Sequence, residues 1–301
     1  MKIAVLFRQD VRNNKAVPCY AQSYVEAFQA MGHEVVTTGE GHSIEHFTAF
    51  SSSSDLVLEI ENGRNERGDL RFQYPESSAA LRGVRSAVLL IDSHGHPDLH
   101  ELIAREYDHV FFAVWSRRDL FAKHKSAHWC PNATDLQWFG HENFMTPVHQ
   151  IDVGFFGSKR GLVRADSLVR ICQQYGWTYD VREVVKPRRP RWPATGAAMA
   201  CCRVLYNRGQ KHDGPNQRVM ESMAMRRPLL NDVDESSGMD RLFVAHQDYM
   251  PYDSDSTLFE ALRTLLENPA LAEEIGARGH AKVASQHLVK HRAAQILEAL
   301  G

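Results

Sequence analysis

Residues 213–228 read DGPNQRVMESMAMRRP, and this stretch indicates the fold class of the chain. It opens with a Gly-Pro-Asn turn signal, continues with a segment of helical periodicity, and stops at Pro228, which cannot extend a helix. A helix is therefore predicted over residues 216–226, and the apolar run after it predicts a strand over residues 228–232. Asp213 stands eight positions ahead of Glu221, whose apolar neighbours predict a largely buried helix.

Short apolar runs alternate with amphipathic segments in both halves of the chain. Residues 2–7 and the run HEVVTT flank a helix predicted over residues 20–31, which gives the strand–helix–strand unit of a parallel sheet. A second cycle of this kind begins near residue 150. We therefore expect an α/β protein with two Rossmann-like, doubly wound domains that face each other across a cleft. The predicted domains are residues 1–149 and 150–286, followed by a separate helical segment at 287–301.

Composition excludes few function classes. The 301 residues are 43% hydrophobic, enough for one large or two medium domains. A net charge of −2 gives no global attraction to nucleic acid or to a membrane surface. The five cysteines are scattered and show no CxxC spacing, which favours reduced thiols and a cytoplasmic protein. No apolar run approaches the ~20 residues of a membrane span.

Glu221 is a candidate ligand for a nucleotide. A ribose presents two neighbouring hydroxyl groups, and one carboxylate can accept charge-assisted hydrogen bonds from both. A single glutamate on a helix is more often a surface group, but the apolar surroundings of Glu221 favour the binding role. The segments RVME, LF, YD and HLVKHR follow in this order, at residues 218–221, 242–243, 252–253 and 287–292.

This series of segments resembles the glycosyltransferases of GT-B architecture, group 1 or family 4-like. The resemblance is nearest to the branch of spore-maturation (CgeB-like) glycosyltransferases, and it extends from Arg208 onward. It implies a metal-independent enzyme of the hexosyltransferase type. The co-substrate would be a nucleotide sugar, expected to be a UDP-sugar, and no further cofactor is implied. The last helix would cross back to the first domain.

The resemblance also assigns the residues of a donor site. Glu221 would bind the ribose, and Asp213 would touch the donor sugar as a catalytic group. The donor's diphosphate would lie by the turn that follows the first strand of the second domain, at Gly157 and Ser158. The nearby polar residues of the donor site would be Arg208, Lys211, Asn216 and Arg218. Two departures stand out. Asp213 replaces a longer glutamate, which leaves retention or inversion open, and Arg226 replaces a glycine, so the local turn is expected to differ.

The segment DSHGHPDLH follows the apolar run AVLLI, so Asp92 and His94 are expected at the carboxyl end of a strand. Several interpretations stay open: a metal site, a general base for an acceptor hydroxyl, a structural or loop-capping role or, as the resemblance implies for His94, a contact with the donor sugar. His100 falls on the following helix and favours a structural role. Glu59 and Glu61 follow another strand as further candidates for an acceptor contact or a base.

The acceptor is the least defined part of the prediction. A glycan, a small metabolite and a modified DNA base all fit a sugar transfer to a hydroxyl group. Only the basic loop KPRRPRWP, at residues 186–193, points to nucleic acid, and a solvated loop is the more common origin of such a run. Two other functions compete with transfer: a non-catalytic nucleotide- or sugar-binding protein, and a sugar-nucleotide epimerase.

Overall fold

The computed structural model describes residues 1–6, 20–38, 52–61, 83–91, 93, 95, 97–144, 151–157, 162–183, 192–209 and 214–301. The chain forms two compact units. Unit 1 contains Met1–Pro131 and Val289–Gly301, and unit 2 contains Asn132–Leu288. Each unit is built on one parallel sheet with helices, so the predicted α/β class with two Rossmann-like domains is confirmed.

The elements are numbered along the chain, within the described residues. The strands β1 to β11 are Lys2–Leu6, Glu34–Thr38, Leu56–Glu61, Arg85–Leu90, His109–Phe112, Ala127–Trp129, Ile151–Gly157, Tyr179–Glu183, Cys202–Asn207, Leu229–Asp232 and Met250–Tyr252. The helices α1 to α9 are Tyr20–Ala30, Pro97–Ala104, Leu136–Phe139, Asp166–Tyr175, Trp192–Ala200, Gln217–Ala224, Asp255–Glu267, Pro269–Gln286 and Val289–Leu300.

The sheet of unit 1 has the order β2-β1-β3-β4-β5-β6, and all its pairs are parallel. Its central strands are apolar on both faces: Ile3 to Leu6 of β1 and Ser86 to Leu90 of β4 are all buried. Continuous apolar strands of this kind are typical of a parallel sheet whose two faces are both covered. The short apolar runs in the sequence therefore predict these strands, although polar and apolar residues do not alternate along them.

The sheet of unit 2 has the order β11-β10-β9-β7-β8, again with parallel pairs. The first strand, β7, lies between β8 and β9, so the strand order reverses direction between β7 and β9. In open parallel sheets, ligands bind beyond the carboxyl ends of the strands at such a reversal. The ends of β7 and β9 are Gly157 and Asn207, which places the expected ligand region of unit 2 there.

The last helix, α9, belongs to unit 1, where it packs against α1. Arg292 Nε donates to the Pro131 carbonyl at 2.8 Å, and Gln295 Nε2 donates to the Trp129 carbonyl at 2.7 Å. Residues 132–144 belong to unit 2, because α3 packs against α5 and α6. The division between the units therefore lies earlier in the chain than residue 149.

Residues 197–205, whose sequence fits a buried helix as well as a buried strand, contain parts of both elements: α5 ends at Ala200 and β9 begins at Cys202. Trp192 and Pro193, the last two residues of the predicted basic loop, belong to α5; Pro193 lies in its first turn, where the missing amide hydrogen costs no helical bond. No helix in the described part of the chain has the length and apolarity needed to cross a membrane.

Candidate functional site

A small cavity lies at the carboxyl ends of β9 and β10, beside the start of α6 in unit 2. Asn207 ends β9, Asp232 ends β10, and Asn216 caps α6. The cavity is lined by residues from the strand ends and the loops that follow them: Asn207, Gly209, Gly214, Pro215, Asn231, Asp232, Asp234, Ser237 and Met239. It includes Asn207, one of the two strand ends at which the sheet order predicts ligand binding.

Three asparagine side chains tie the strand ends to the helix. Asn207 Nδ2 donates to Asn231 Oδ1 at 2.7 Å, and Asn216 Nδ2 donates to Asn207 Oδ1 at 3.4 Å. Asn216 Oδ1 in turn accepts from the backbone N–H of Val219 at 3.2 Å, which caps the helix. The network fixes the start of α6 relative to β9 and β10, and so orients the amide hydrogens of its first turn.

The approach to α6 is held from a distant part of the sequence. Gly214 has a φ of +72°, a left-handed conformation that suits glycine. Asn132, which is buried, donates from Nδ2 to the Pro215 carbonyl at 3.2 Å. Nearby, Asp135 caps α3 by accepting from the Gln137 N–H at 3.0 Å.

Asp232 is a mostly buried carboxylate of the cavity. Its Oδ1 accepts from the backbone N–H of Gly209 at 2.9 Å. Burial raises the pKa of Asp232 above its ordinary value, while the hydrogen bond from Gly209 and the positive charge of Arg208 act in the opposite direction. Arg208 itself is exposed and follows β9 directly, and its positive charge acts on the Asp232 carboxylate without Arg208 lining the cavity.

Glu221 lies on α6 and is only 2% exposed, which confirms that its helix is buried. Its Oε2 forms an ion pair with Arg218 Nη1, one turn earlier on α6, and the Arg218 side chain is 18% exposed. The contact is an ion pair rather than an aligned hydrogen bond, since Oε2 lacks a hydrogen-bond partner in the described part of the chain. Burial raises the pKa of Glu221, and Arg218 opposes this rise.

Arg226 adopts the backbone conformation of the glycine that it replaces. Its φ is +54°, and its N–H donates to the Met223 carbonyl at 3.0 Å, so it closes the end of α6 as a left-handed residue. The expectation that the turn would differ is therefore wrong. The neighbouring helix holds this turn in place: a Cβ on Gly276 of α8 would lie 2.7 Å from the Arg226 carbonyl oxygen.

The remaining candidates of the donor site divide into two groups. Gly157 ends β7, next to β9 in the sheet, and a Cβ there would lie 2.6 Å from the Phe155 ring. The structure thus places Gly157, Arg208 and Asn216 at strand ends or the helix start, and Arg218 with Glu221 on α6. The other predicted residues lie outside the described residues; they are Asp92, His94, Ser158, Lys211 and Asp213.

Two candidates in unit 1 have side-chain partners within the unit. Glu59 is buried and accepts a hydrogen bond from the Tyr107 hydroxyl, so its carboxylate is engaged inside the unit, and its contact with an acceptor stays a prediction. His100 is fully buried on α2, where its Nδ1 is paired with Ser93 Oγ at 2.9 Å. This agrees with the structural role predicted for His100. The side chain of Glu61 lies outside the described residues.

Asn207, Asn231 and Asp232 line the cavity but belong to no predicted motif. Each ends or nearly ends a buried strand, in the runs RVLYN and LLND. A polar residue directly after an apolar run signals a strand end that faces a ligand region, and that signal was available in the sequence. In the described ranges, no group of three or more His, Cys, Asp or Glu side chains is placed to hold a metal ion.

Residues 141–298 match the family model described as glycosyl transferase-like, which covers just over half of the chain. The chain belongs to this family. No curated protein sequence gives a significant match to it.

Solved structures share the fold of this family member at low sequence identity. An alpha-glucosyltransferase in complex with UDP and a 13-mer DNA with a central A:G mismatch has a TM-score of 0.70 at 10% identity, over 99% of each chain. HepE from Anabaena, in complex with UDP-glucose, has a TM-score of 0.67 at 11% identity, over 100% of this chain and 99% of its own. Sucrose-phosphate synthase from Thermosynechococcus elongatus has a TM-score of 0.62 at 11% identity, over 99% and 98%. The fold is GT-B.

Proposed function

We propose that the protein transfers a hexosyl group from a UDP-sugar to a hydroxyl group of an acceptor. The observation that carries the proposal is helix α6. Its capped start lies at the carboxyl ends of β9 and β10, and it bears the buried Glu221 carboxylate beside Arg218. The family membership supports the transfer reaction, and the similar structures that hold UDP or UDP-glucose support the choice of donor.

Glu221 would accept hydrogen bonds from the ribose hydroxyl groups. Arg218 covers the carboxylate in the present conformation, so donor binding requires that the guanidinium move from Glu221. The diphosphate would be a stronger partner for the Arg218 guanidinium, because guanidinium and phosphate form charge-assisted, bidentate hydrogen bonds. Donor binding would thus replace the ion pair between Arg218 and Glu221 by two interactions, Arg218 with the diphosphate and Glu221 with the ribose. Arg208, Lys211 and the Gly157–Ser158 turn would complete the diphosphate site.

The leaving group of the reaction is the nucleoside diphosphate, on which negative charge develops. Fixed cations such as Arg208 and Arg218, and the amide hydrogens at the start of α6, can stabilise that charge without a metal ion. We therefore propose a metal-independent transfer with no cofactor beyond the nucleotide sugar. Asp92, His94 and Asp213 are the proposed catalytic groups, as a base for the acceptor hydroxyl or as contacts with the donor sugar.

The acceptor is proposed by class. A glycan or a small molecule with a free hydroxyl group fits the near-neutral chain, whose net charge is −2. A modified DNA base is the second candidate, because one similar structure was solved with DNA and because residues 186–191 are strongly basic. A place within the spore-maturation branch of the family and a cytoplasmic location are part of the same proposal.

A panel of nucleoside diphosphates and nucleotide sugars tests the donor site by thermal shift. A ligand that binds only the folded state at 100 times its Kd adds about 2.7 kcal/mol of stability, so UDP and UDP-sugars should raise the unfolding midpoint of the wild type. Glu221→Gln should reduce the shift. Glu267→Gln, the same change at an exposed position on α7, serves as the control. No shift with any nucleotide contradicts the donor site.

Release of UDP from a UDP-sugar then tests the reaction. A transferase should release UDP slowly without acceptor and faster with a suitable one. A pure binding protein would show the thermal shift with no UDP release. An epimerase would convert the sugar and leave the nucleotide sugar intact. Either of these last two results contradicts the proposed transfer.

A further inference from the structure

We propose that Asp232 binds the hydroxyl groups of the donor's sugar and so contributes to donor specificity. This inference rests on the proposed function and adds a residue that the sequence motif does not contain. Asp232 ends β10, an inner strand of the sheet, and its side chain lines the cavity at the carboxyl edge. The sequence motif gave the sugar contact to Asp213 instead.

The carboxylate of Asp232 is held in a fixed position. Oδ1 accepts from the Gly209 N–H at 2.9 Å, and the backbone carbonyl of the same residue accepts from Asn231 Nδ2 at 2.8 Å. Gly209 and Asn231 also line the cavity. Oδ2 makes no hydrogen bond to any residue in the described part of the chain, although the side chain is mostly buried. One oxygen thus anchors the group and the other remains available to a ligand.

The charge of the group limits what it can bind. A carboxylate is repelled by the diphosphate of a nucleotide sugar, and it attracts hydrogen-bond donors. The donor presents such groups on the base, the ribose and the transferred sugar. The proposed function gives the ribose to Glu221. Arg208, proposed for the diphosphate, lies close enough to Asp232 to influence its ionisation, which points to the sugar attached to that diphosphate.

The other polar groups of the cavity suit the same role. Asn207 and Ser237 are buried, neutral groups that can donate or accept, and both line the cavity with Asp232. Sugar hydroxyl groups also donate and accept, so a carboxylate with amide and hydroxyl neighbours matches them better than it matches a phosphate. The cavity therefore has the chemistry of a subsite for a neutral, hydroxyl-rich group.

The test compares the affinities of UDP and UDP-sugars for wild type, Asp232→Asn and the control Asp240→Asn, by calorimetry. Asparagine keeps an oxygen for the Gly209 N–H but removes the charge, and Asp240 is exposed outside the cavity lining. UDP-glucose, UDP-galactose and UDP-N-acetylglucosamine are the probes. We expect Asp232→Asn to weaken the best-binding UDP-sugar about tenfold or more, since a charged acceptor is lost, and to leave UDP within about twofold of wild type.

Each other outcome has a definite meaning. An equal loss for UDP and the UDP-sugar overturns the inference, because the residue would then shape the loop or touch the nucleotide. Unchanged affinity for both also overturns it. If the wild type binds no nucleotide at all, the proposed function fails and the inference with it. Asp232→Ser, which keeps a small polar acceptor, gives the same comparison if the asparagine variant does not fold.

Discussion

The left-handed conformation of Arg226 predicts an inverted order of stability between glycine and alanine at this position. Arg226 ends helix α6 with a φ of +54° and makes one ion pair, from Nη2 to Glu273 at 2.8 Å. Both Arg226→Gly and Arg226→Ala remove this ion pair and the arginine stem. The difference between the two variants therefore isolates the backbone conformation.

The magnitude follows from two opposing effects. A left-handed conformation costs a residue with a Cβ about 1–2 kcal/mol, and glycine avoids this cost. Glycine also gives the unfolded chain more conformational entropy, and this lowers the free energy of unfolding by about 0.4–1 kcal/mol relative to alanine. The glycine variant should therefore be more stable than the alanine variant by about 0.5–1 kcal/mol. At an ordinary helical position the order is reversed, and glycine is about 0.5–1 kcal/mol less stable.

Urea unfolding of the two variants, followed by circular dichroism, measures this difference directly. Parallel measurements on Arg226→Gln, which keeps the Cβ and a polar side chain but removes the charge, show how much the ion pair contributes; we expect under ~1 kcal/mol because both partners are about half exposed. An alanine variant equal to or more stable than the glycine variant would refute the assignment of a strained turn at the end of α6.

Three further predictions concern packing, pH and thiol reactivity. Gly276→Ala should destabilise the fold by about 1–3 kcal/mol in urea unfolding, because the new Cβ would lie 2.7 Å from the Arg226 carbonyl; an unchanged midpoint would contradict this packing. Burial, together with the charge of His280, lowers the pKa of His141 in the folded protein. The unfolded state therefore binds the proton more readily, and the free energy of unfolding should fall as the pH drops below about 6.5. Replacing His141 by glutamine should reduce that pH dependence, and an identical pH profile would show that the histidine does not cause it. Burial raises the pKa of Cys130 to about 11 and that of Cys202 to about 12, so iodoacetamide at pH 8 should label both only after unfolding, as mass spectrometry would show.

The sheets could be predicted from sequence because their strands are short apolar runs bounded by polar turns. The predicted strand at residues 2–7 corresponds to Lys2–Leu6, and the predicted helical segment at residues 287–301 contains the helix Val289–Leu300. Residues 197–205 were ambiguous because alanine, methionine and cysteine fit a buried helix as well as a buried strand. Only the tertiary pairing of β9 with β7 and β10 separates the two.

The candidate site was predictable in part. The position of Glu221 on a buried helix follows from its apolar neighbours, but its ion pair with Arg218 depends on the rotamers of both side chains. The asparagine network joins residues 207, 216 and 231, which are distant in sequence, so no local pattern indicates it. The hydrogen bond between Glu59 and Tyr107 is not indicated by any local pattern either, because the two residues come from different parts of unit 1.

The left-handed turn at Arg226 shows a limit of residue preferences. Arginine disfavours positive φ, so the sequence predicted a different turn. The structure keeps the turn because α8 packs closely against it, with Gly276 leaving room for the Arg226 carbonyl. Tertiary packing thus imposes a conformation that the local sequence opposes.

The affinity of UDP for the wild type, Glu221→Gln and Glu267→Gln tests the central claim most directly. UDP contains the ribose and the diphosphate but no transferred sugar, so calorimetry with UDP reports on the proposed ribose and diphosphate site without the Asp232 subsite. The account predicts binding to the wild type, equal binding to the Glu267 variant, and affinity weaker by about 1.5–3 kcal/mol, or roughly 10- to 150-fold, for the Glu221 variant. Equal affinity of all three proteins, or no binding to the wild type, would contradict it.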